Sequence, residues 1–391
     1  MAQDSYLHGI SLSEISGGTR YLQTFRTGVI GMVGTAPDAD DDVFPENIPT
    51  LVTNIQGVTG KAGDSGTLPE ALSAIAAQGS PIGVFIRVPE GSTEAETTSN
   101  VIGKVTTEQQ YTGLQALLVS QSILGVTPRI IGAPGLDTQP VANAEVTIAQ
   151  KLRAFAYAKC IGDNVSEMLA YRENFSAREL MLIAADFLAW NTTESKAREV
   201  AATAHALGLR AKIDSTIGWH KTLSNVAVNG VQGINKDFSW NLQSSDTDVG
   251  LLNEAGITAL IQQNGYRFWG SRTCDDSGLF PFESSTRTAQ IIGDTIAENM
   301  FIFVDGVMVA NNARDIIESV NAKLREWTRL GYILGGQCWY DPESNPATSL
   351  KNGIICFDFD YTDVPPMENI GFNQRKTDKY FANFNQAVTQ G

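Results

Sequence analysis

The chain has 391 residues, 42% hydrophobic and 18% charged, which excludes an intrinsically disordered protein and calls for two or three domains. Its 28 basic against 43 acidic residues leave a formal charge of −15, which repels phosphate backbones and argues against nucleic acid as a direct partner. No apolar run approaches the roughly 20 residues that span a bilayer, and MAQDSYLHG at the start lacks a basic n-region and an apolar h-region, so neither membrane insertion nor secretion is expected.

His8 to Ile15 alternates only approximately, with Ile10, Leu12 and Ile15 as its apolar positions, and Gly17 and Gly18 follow. This reads as a short exposed strand on a flexible joint, with a frayed terminus as the bland alternative. Beyond Arg26 the pattern becomes alternating α/β. Gly28 to Thr35, Leu51 to Asn54, Pro81 to Val88 and Arg129 to Ala133 read as strands. Thr67 caps a helix with Pro69 in its first turn and Gly79 as its stop. A long amphipathic helix is expected from Pro140 to about Ala156, then a strand over Leu180 to Leu188. A helix from Ser195 to Ala206, stopped by Gly208, and a strand at Lys212 to Ser215 follow. Elements alternating at this spacing predict βαβ units around a largely parallel sheet, an α/β class.

Gly218 to Trp240 is a polar loop rich in Asn and Gly, and a loop of that length is expected to be functional or to pack against a neighbour. After it come a helix at Thr247 to Ala255 and strands at Ile257 to Gln262 and Tyr266 to Gly270. Two long helices follow, from about Ser285 to Phe303 and from about Asn312 to Leu330, the second closed by Gly331. In that second helix Ile316, Val320, Leu324 and Trp327 recur at spacings of four, four and three, one apolar stripe. Lys323, Arg325 and Arg329 gather near its C-terminal end, where cations suit the helix dipole. They form a candidate basic strip for an acidic partner, against the bland reading of a solvated face. Strands at Gln337 to Tyr340 and Gly353 to Tyr361 precede Pro365-Pro366. Proline lacks a donor and holds the residue before it extended, so the pair should end the strand and aim the chain away from its own sheet. The tail from Gly371 is expected to be extended.

No catalytic pattern survives scrutiny. Gly63-Asp64-Ser65-Gly66 resembles a trypsin-like nucleophile loop, but the only upstream histidine is His8 and a helix follows, so a tight turn explains it. Gly28, Gly31 and Gly34 lie within a strand and open no phosphate-binding helix; close packing explains them. Trp219, Trp240 and Trp269 could form an aromatic platform, yet acidic neighbours replace the basic groove that nucleic acid needs, which favours core or interface anchoring. His205 and His220 stand isolated. Cys160, Cys274, Cys338 and Cys356 occur singly, without a CxxC pair, and are expected to be buried, reduced thiols rather than metal ligands or disulfides. No cofactor is expected. Residues 36–100 hold ten acidic residues against Lys61 and Arg87, a balance of −8, whereas residues 371–391 carry Arg375, Lys376 and Lys379 against Asp378, or +2. An acidic body with a basic tail suggests an assembly whose surfaces meet different environments.

Three long phrases lead beyond class: GWHKTLSNVAVNGVQGI from Gly218, NGYRFWGSRTC from Asn264 and DFDYTDVPPMENIGFNQRKTDKYFANF from Asp358. With TGVIGMVGTAPDADDDVFPENIPTLVT from Thr27 and GTLPEALSAIAAQG from Gly66, they make nearly the whole chain resemble the major tail sheath proteins of contractile-tailed bacteriophages, closest to the P2-like group. The resemblance implies a non-enzymatic building block of the virion, assembled in the host cytoplasm. Its expected layout is an N-terminal linking arm over 1–20, outer α/β domains over 21–270, an inner tube-proximal domain over 271–370 and a C-terminal linking arm over 371–391. The inner domain would be built from both termini. Ile10, Leu12, Ile15, Arg375, Lys379, Tyr380 and Phe381 become candidate inter-subunit arm residues, and Lys323, Arg325 and Arg329 candidates for facing the tail tube.

The implied partners are further copies of the chain in stacked hexameric rings of a helical array, the tube protein, and the baseplate and tail terminator proteins. Arms would add strands to a neighbour's sheet, and the metastable array would contract to drive the tube through the host envelope, without ATP. The sheath of an R-type bacteriocin-like particle is the alternative within this class; a cytosolic α/β enzyme is the one outside it.

Overall fold

The computed structural model describes residues 27–191 and 195–389; the expected N-terminal arm with Ile10, Leu12 and Ile15 lies outside the described residues. The strands are β1 (Ile30–Thr35), β2 (Thr50–Val52), β3 (Gly83–Val88), β4 (Ile130–Gly132), β5 (Phe155–Cys160), β6 (Leu180–Ala184), β7 (Phe187–Asn191), β8 (Lys196–Val200), β9 (Gly233–Ile234), β10 (Ile257–Gln262), β11 (Tyr266–Trp269), β12 (Ile333–Trp339) and β13 (Asp358–Asp363). Eight of them form one sheet in the order β11-β10-β6-β5-β4-β1-β3-β2. It is parallel from β10 to β3, with β11 and β2 as antiparallel edges. The expected α/β class is what forms.

Period-2 alternation sends Ile30, Met32, Phe85, Tyr157 and Ile183 to one face, under the helices Leu68–Gln78 and Ala202–Thr216. Val33, Val84, Ile86, Ile131 and Leu182 point to the other, under Glu94–Ile102, Gln139–Leu152, Val165–Arg172 and Asp248–Glu254. Both faces are covered, which is why the central strands are apolar throughout. Each fully buried Leu or Ile contributes roughly 1.5–3 kcal/mol. Gly31 and Gly34 serve close packing, as expected: a Cβ on Gly31 would sit 2.6 Å from Pro128 Cβ, and one on Gly34 3.1 Å from Leu68 Cβ.

Several boundaries differ from expectation. The helix begun at Gln139 ends at Leu152, because Arg153 adopts a left-handed conformation (φ 51°), and the chain returns as β5. The expected single strand over 180–188 is two, β6 and β7, separated at Ala185 (φ 70°). The expected helix at 195–206 and strand at 212–215 are replaced by β8 and the single helix Ala202–Thr216. Gly208 does not stop that helix. It permits a close crossing with the Leu68–Gln78 helix, where a Cβ would lie 2.8 Å from Ile75 Cα. The tail is not extended throughout, since Phe381–Thr389 is helical.

A third core is built by the helices Glu283–Met300 and Ala310–Leu330 with the β12–β13 hairpin, around Ile292, Val320, Leu324, Trp327 and Ile333. Trp219 reaches into it, 5.7 Å from Trp327 and 4.8 Å from Tyr332 between ring centroids. The loop that begins at Gly218 therefore packs within its own subunit. Its middle is pinned by Gln78, which donates to the Asn229 carbonyl and accepts from the Asn229 amide.

Candidate assembly surfaces

A buried ionic seam joins the Glu283–Met300 helix of the third core to β5 and to the Ala202–Thr216 helix. Glu283, at the start of its helix and fully buried, accepts from Arg210 at 3.1 Å, from Thr222 and the Leu223 amide at 3.3 Å each, and from the Tyr157 hydroxyl. Asp214 accepts from Arg210 at 2.7 Å and from Arg287. Arg287 donates onward to the Thr27 and Arg129 carbonyls, and Arg129 pairs with Asp294 at 2.9 Å. Two arginines and two carboxylates thus balance in a dry quartet. Burial opposes the Arg210 charge, but Asp214 and Glu283 outweigh it and raise its pKa. Burial, and then Glu283, push the Tyr157 hydroxyl far above its usual range. The quartet ties the Glu283–Met300 helix to β5 and to the Ala202–Thr216 helix. Its two halves, Arg210 with Asp214 and Glu283 with Arg287, are each four residues apart, but the halves lie far apart in the chain and nothing in the sequence joins them.

The basic strip is not the one expected. Lys323 is 4% exposed, pairs with Glu326 at 2.9 Å and lies over the Trp327 ring. Seven residues after Ile316 it completes two turns of helix, so it belongs to the apolar stripe and not to the opposite face. Arg325 and Arg329 are exposed on the far side, Arg325 being 3.7 Å from Glu318.

At the hairpin, no strand other than β12 pairs with β13 among the described residues. β13 ends at Asp363, two residues before Pro365-Pro366. Arg272 then clamps the chain by a two-point ion pair to Glu368 (2.9 and 2.6 Å). Beyond this root Arg375, Lys379, Tyr380 and Phe381 are all exposed, and Lys379 lies over the Tyr380 ring.

The remaining candidates are structural. Asp38 accepts from the Asp64 and Ser65 amides, so the Gly63–Gly66 stretch is a turn. His205 is buried against Gln78, and burial pushes it down to about 4. His220 stacks on Tyr332, and Trp240 packs edge-on against Trp269. A cleft of about 210 Å³ opens at the carboxyl ends of the parallel strands, between Thr67, Gly135, Asp137, Lys159 and Asp186. The chain's own groups occupy its polar positions: Asp186 caps the Ala202 amide, Asp137 accepts from the Lys159 amide, and Lys159 pairs with Asp186 at 2.5 Å. Three cysteines are buried as expected, but Cys356 is exposed. Among the described residues no cluster of His, Cys, Asp or Glu could hold a metal, and no helix is long and apolar enough to cross a membrane.

Against known proteins, residues 27–88 match the tail sheath protein Gp18 domain III N-terminal region, 109–274 the phage tail sheath protein central domain and 275–377 the phage tail sheath C-terminal domain. The chain is 52% identical to the tail sheath protein of Escherichia phage P2, over 98% of both chains. It is 42% identical to the major tail sheath protein of Serratia phage KSP20, over 97% of both. In fold it is similar to the sheath of an extracellular contractile injection system, PVC, in the contracted state (TM-score 0.71, 13% identity, 96% and 99% covered). The contracted helical sheath of the anti-feeding prophage is also similar (TM-score 0.69, 14% identity, 95% and 100% covered). The ionic seam falls where the matched regions join, and the exposed hairpin and tail root lie in the C-terminal one; the chain belongs to the phage tail sheath protein family, in its P2-like group, as a structural subunit of a contractile tail.

Proposed function

We propose that the chain polymerises as stacked six-membered rings in a helical array around a tail tube, and that contraction of this array drives the tube through the host envelope. The observation that carries this reading is the 52% identity to the P2 tail sheath protein along the whole chain. Assembly takes place in the host cytoplasm, with the tube, baseplate and terminator proteins as partners, and the subunit catalyses nothing. The inner layer is formed by the helices Glu283–Met300 and Ala310–Leu330 with the hairpin, and the large sheet lies outside. Arms from neighbouring copies add strands to the hairpin, whose unpaired backbone groups are a template for pairing. Such a contact is heterologous, so it propagates into an open helix. Arg325 and Arg329 face the tube; exposed charge pairs of up to ~1 kcal/mol each, repeated over many subunits, template the array and still release on contraction.

The identity to phage sheaths favours a virion tail over a bacteriocin-like particle, because the injection-system neighbours share only the fold. Negative-stain microscopy of the purified chain tests the proposal. Long hollow polymers are expected, and discrete globules at polymerising concentration would overturn it.

A further inference from the structure

Asparagine followed by glycine is a chemically weak point in a chain, because glycine has no Cβ to keep its amide nitrogen away from the asparagine side chain. The sequence has three such pairs, Asn229-Gly230, Asn264-Gly265 and Asn352-Gly353, and the fold treats them differently. Asn229 is held from both sides: Gln78 donates to its carbonyl at 2.7 Å and accepts from its amide at 3.0 Å, and a Cβ on Gly230 would lie 2.9 Å from Ala77 Cβ. Gly353 donates its amide to the Leu350 carbonyl at 3.0 Å, so the nitrogen that would react is tied to the end of the helix Ala347–Lys351. Asn264 and Gly265 are exposed at the tip of the β10–β11 hairpin, beyond its last ladder pair, Gln262 with Tyr266. Both take positive φ, 51° and 98°. No partner for the Gly265 amide is found among the described residues, and a Cβ there would meet nothing within 4 Å. The Asn264 carbonyl accepts from Arg267 at 3.2 Å, and Arg267 is set in place by bonds of 2.8 Å each to the Gln263 and Asn225 carbonyls.

We propose that Asn264 is the site at which this subunit deamidates spontaneously, and that Arg267 promotes the reaction. The Asn264 carbonyl and the Gly265 nitrogen belong to one conjugated peptide unit. When that nitrogen gives its proton to solvent base, the negative charge spreads onto the oxygen that the guanidinium already holds, and a charge-assisted bond strengthens. The nitrogen then attacks Asn264 Cγ. A C–N bond closes a cyclic imide, the Cγ–Nδ2 bond breaks, and Nδ2 takes a proton from water and leaves as ammonia. Water opens the imide at either carbonyl, giving aspartate or isoaspartate, with no oxidation or reduction. The attack requires the Asn264–Gly265 peptide to swing until nitrogen and carbon meet, which the hairpin tip allows and the pinned Asn229 does not. Either product sets a carboxylate beside Arg267. Isoaspartate also adds one carbon to the main chain of a loop whose length fixes the pairing of β10 with β11. β11 is an edge strand of the large sheet and carries the fully buried Phe268, so the reaction loosens that edge. The inference stands independently of the sheath reading.

The test incubates the full chain in mildly alkaline buffer and follows all three pairs by chymotryptic peptide mapping with mass spectrometry. Asn264 should convert about tenfold ahead of Asn229 and Asn352, the factor that one retained hydrogen bond provides. Arg267→Leu should slow the conversion about fivefold, and Arg267→Lys, which keeps the charge, should hold most of the parent rate. Aged parent should exchange the amides of β11 faster than an equally aged Asn264→Gln subunit. Conversion at Asn229 or Asn352 that matches or outruns Asn264 would overturn the site. An Arg267→Leu subunit that converts as fast as the parent, or faster, would overturn the role of Arg267, and equal exchange in the two aged proteins would overturn the loosening of the edge.

Discussion

Replacing Glu283 by glutamine keeps the shape of the seam and removes one charge. The quartet of Arg210, Arg287, Asp214 and Glu283 is then left with a buried net positive charge, and Arg210 keeps only Asp214 as a carboxylate partner. Breaking a buried pair by altering one partner costs about 3–5 kcal/mol, a large share of the 5–15 kcal/mol that holds a typical domain together. The expected fall in melting temperature is on the order of 10 °C. Adding Arg210→Met restores neutrality, so the double variant should regain about 1–3 kcal/mol over the sum of the single losses. Urea unfolding of the soluble subunit, followed by circular dichroism, measures both quantities. A Glu283→Gln subunit within 1 kcal/mol of the parent, or a double variant no better than additive, would refute the claim that the seam works as a balanced unit.

Arg325→Glu with Arg329→Glu should reduce sheathed-tail yield in electron microscopy, more at low salt than at high, and leave tube-free polymers intact; normal tails would assign these residues to solvent. Pro365→Ala with Pro366→Ala should lower polymer yield while leaving the melting temperature within about 2 °C, since the pair only directs the chain out of β13. His205 titrates at 6.5 when solvated, and burial lowers it to about 4, so its contribution is complete above pH 6.5 and lost as pH falls through 4, at most about 3 kcal/mol. Asp137, raised by burial to about 6, works in the opposite sense between pH 6 and 3.8. The readout is therefore the difference between parent and His205→Gln, whose stability should fall less steeply below pH 6.5.

Local signals carried much of the fold because they act over a few residues. The helix Leu68–Gln78 has Pro69 in its first turn and stops at Gly79 as its residues dictate, although the Thr67 hydroxyl accepts from the Thr35 amide instead of capping it, and Gly331 closes the Ala310–Leu330 helix at φ 76°. Signals failed where a distant partner decided. Gly208 looks like a stop until the crossing helix that needs it is in place. Arg153 ends a helix in a conformation that arginine rarely takes, so β5 stayed hidden in an apolar run that alanines make ambiguous. Lys323 misleads for a different reason: its charge suggests a solvated face, yet its aliphatic stem lies in the stripe while its head reaches Glu326 and Trp327. The seam is only half legible: Arg210 and Asp214 stand four apart on one helix and Glu283 and Arg287 four apart on another, but only the fold joins the two pairs to each other and to Tyr157.

A contracting sheath needs contacts of two kinds, and the assembly proposed above separates them in space. Interactions that must survive the transition should be costly to break and insulated from salt, which describes a buried quartet of charges linking the helix Glu283–Met300 to the large sheet and the helix Ala202–Thr216. Interactions that must re-form should be individually weak, exposed and repeated, which describes Arg325, Arg329, the hairpin edge and the tail beyond Glu368. A hydrophobic core shared between that helix and the sheet would also hold them together. It would not fix their orientation as tightly, because apolar contacts are non-directional whereas the hydrogen bonds of Glu283 and Asp214 each require a set geometry. In the proposed assembly the seam would act as a stiffener between the helix Glu283–Met300 and the large sheet, so that the work of contraction appears at the contacts between subunits and not as deformation within them.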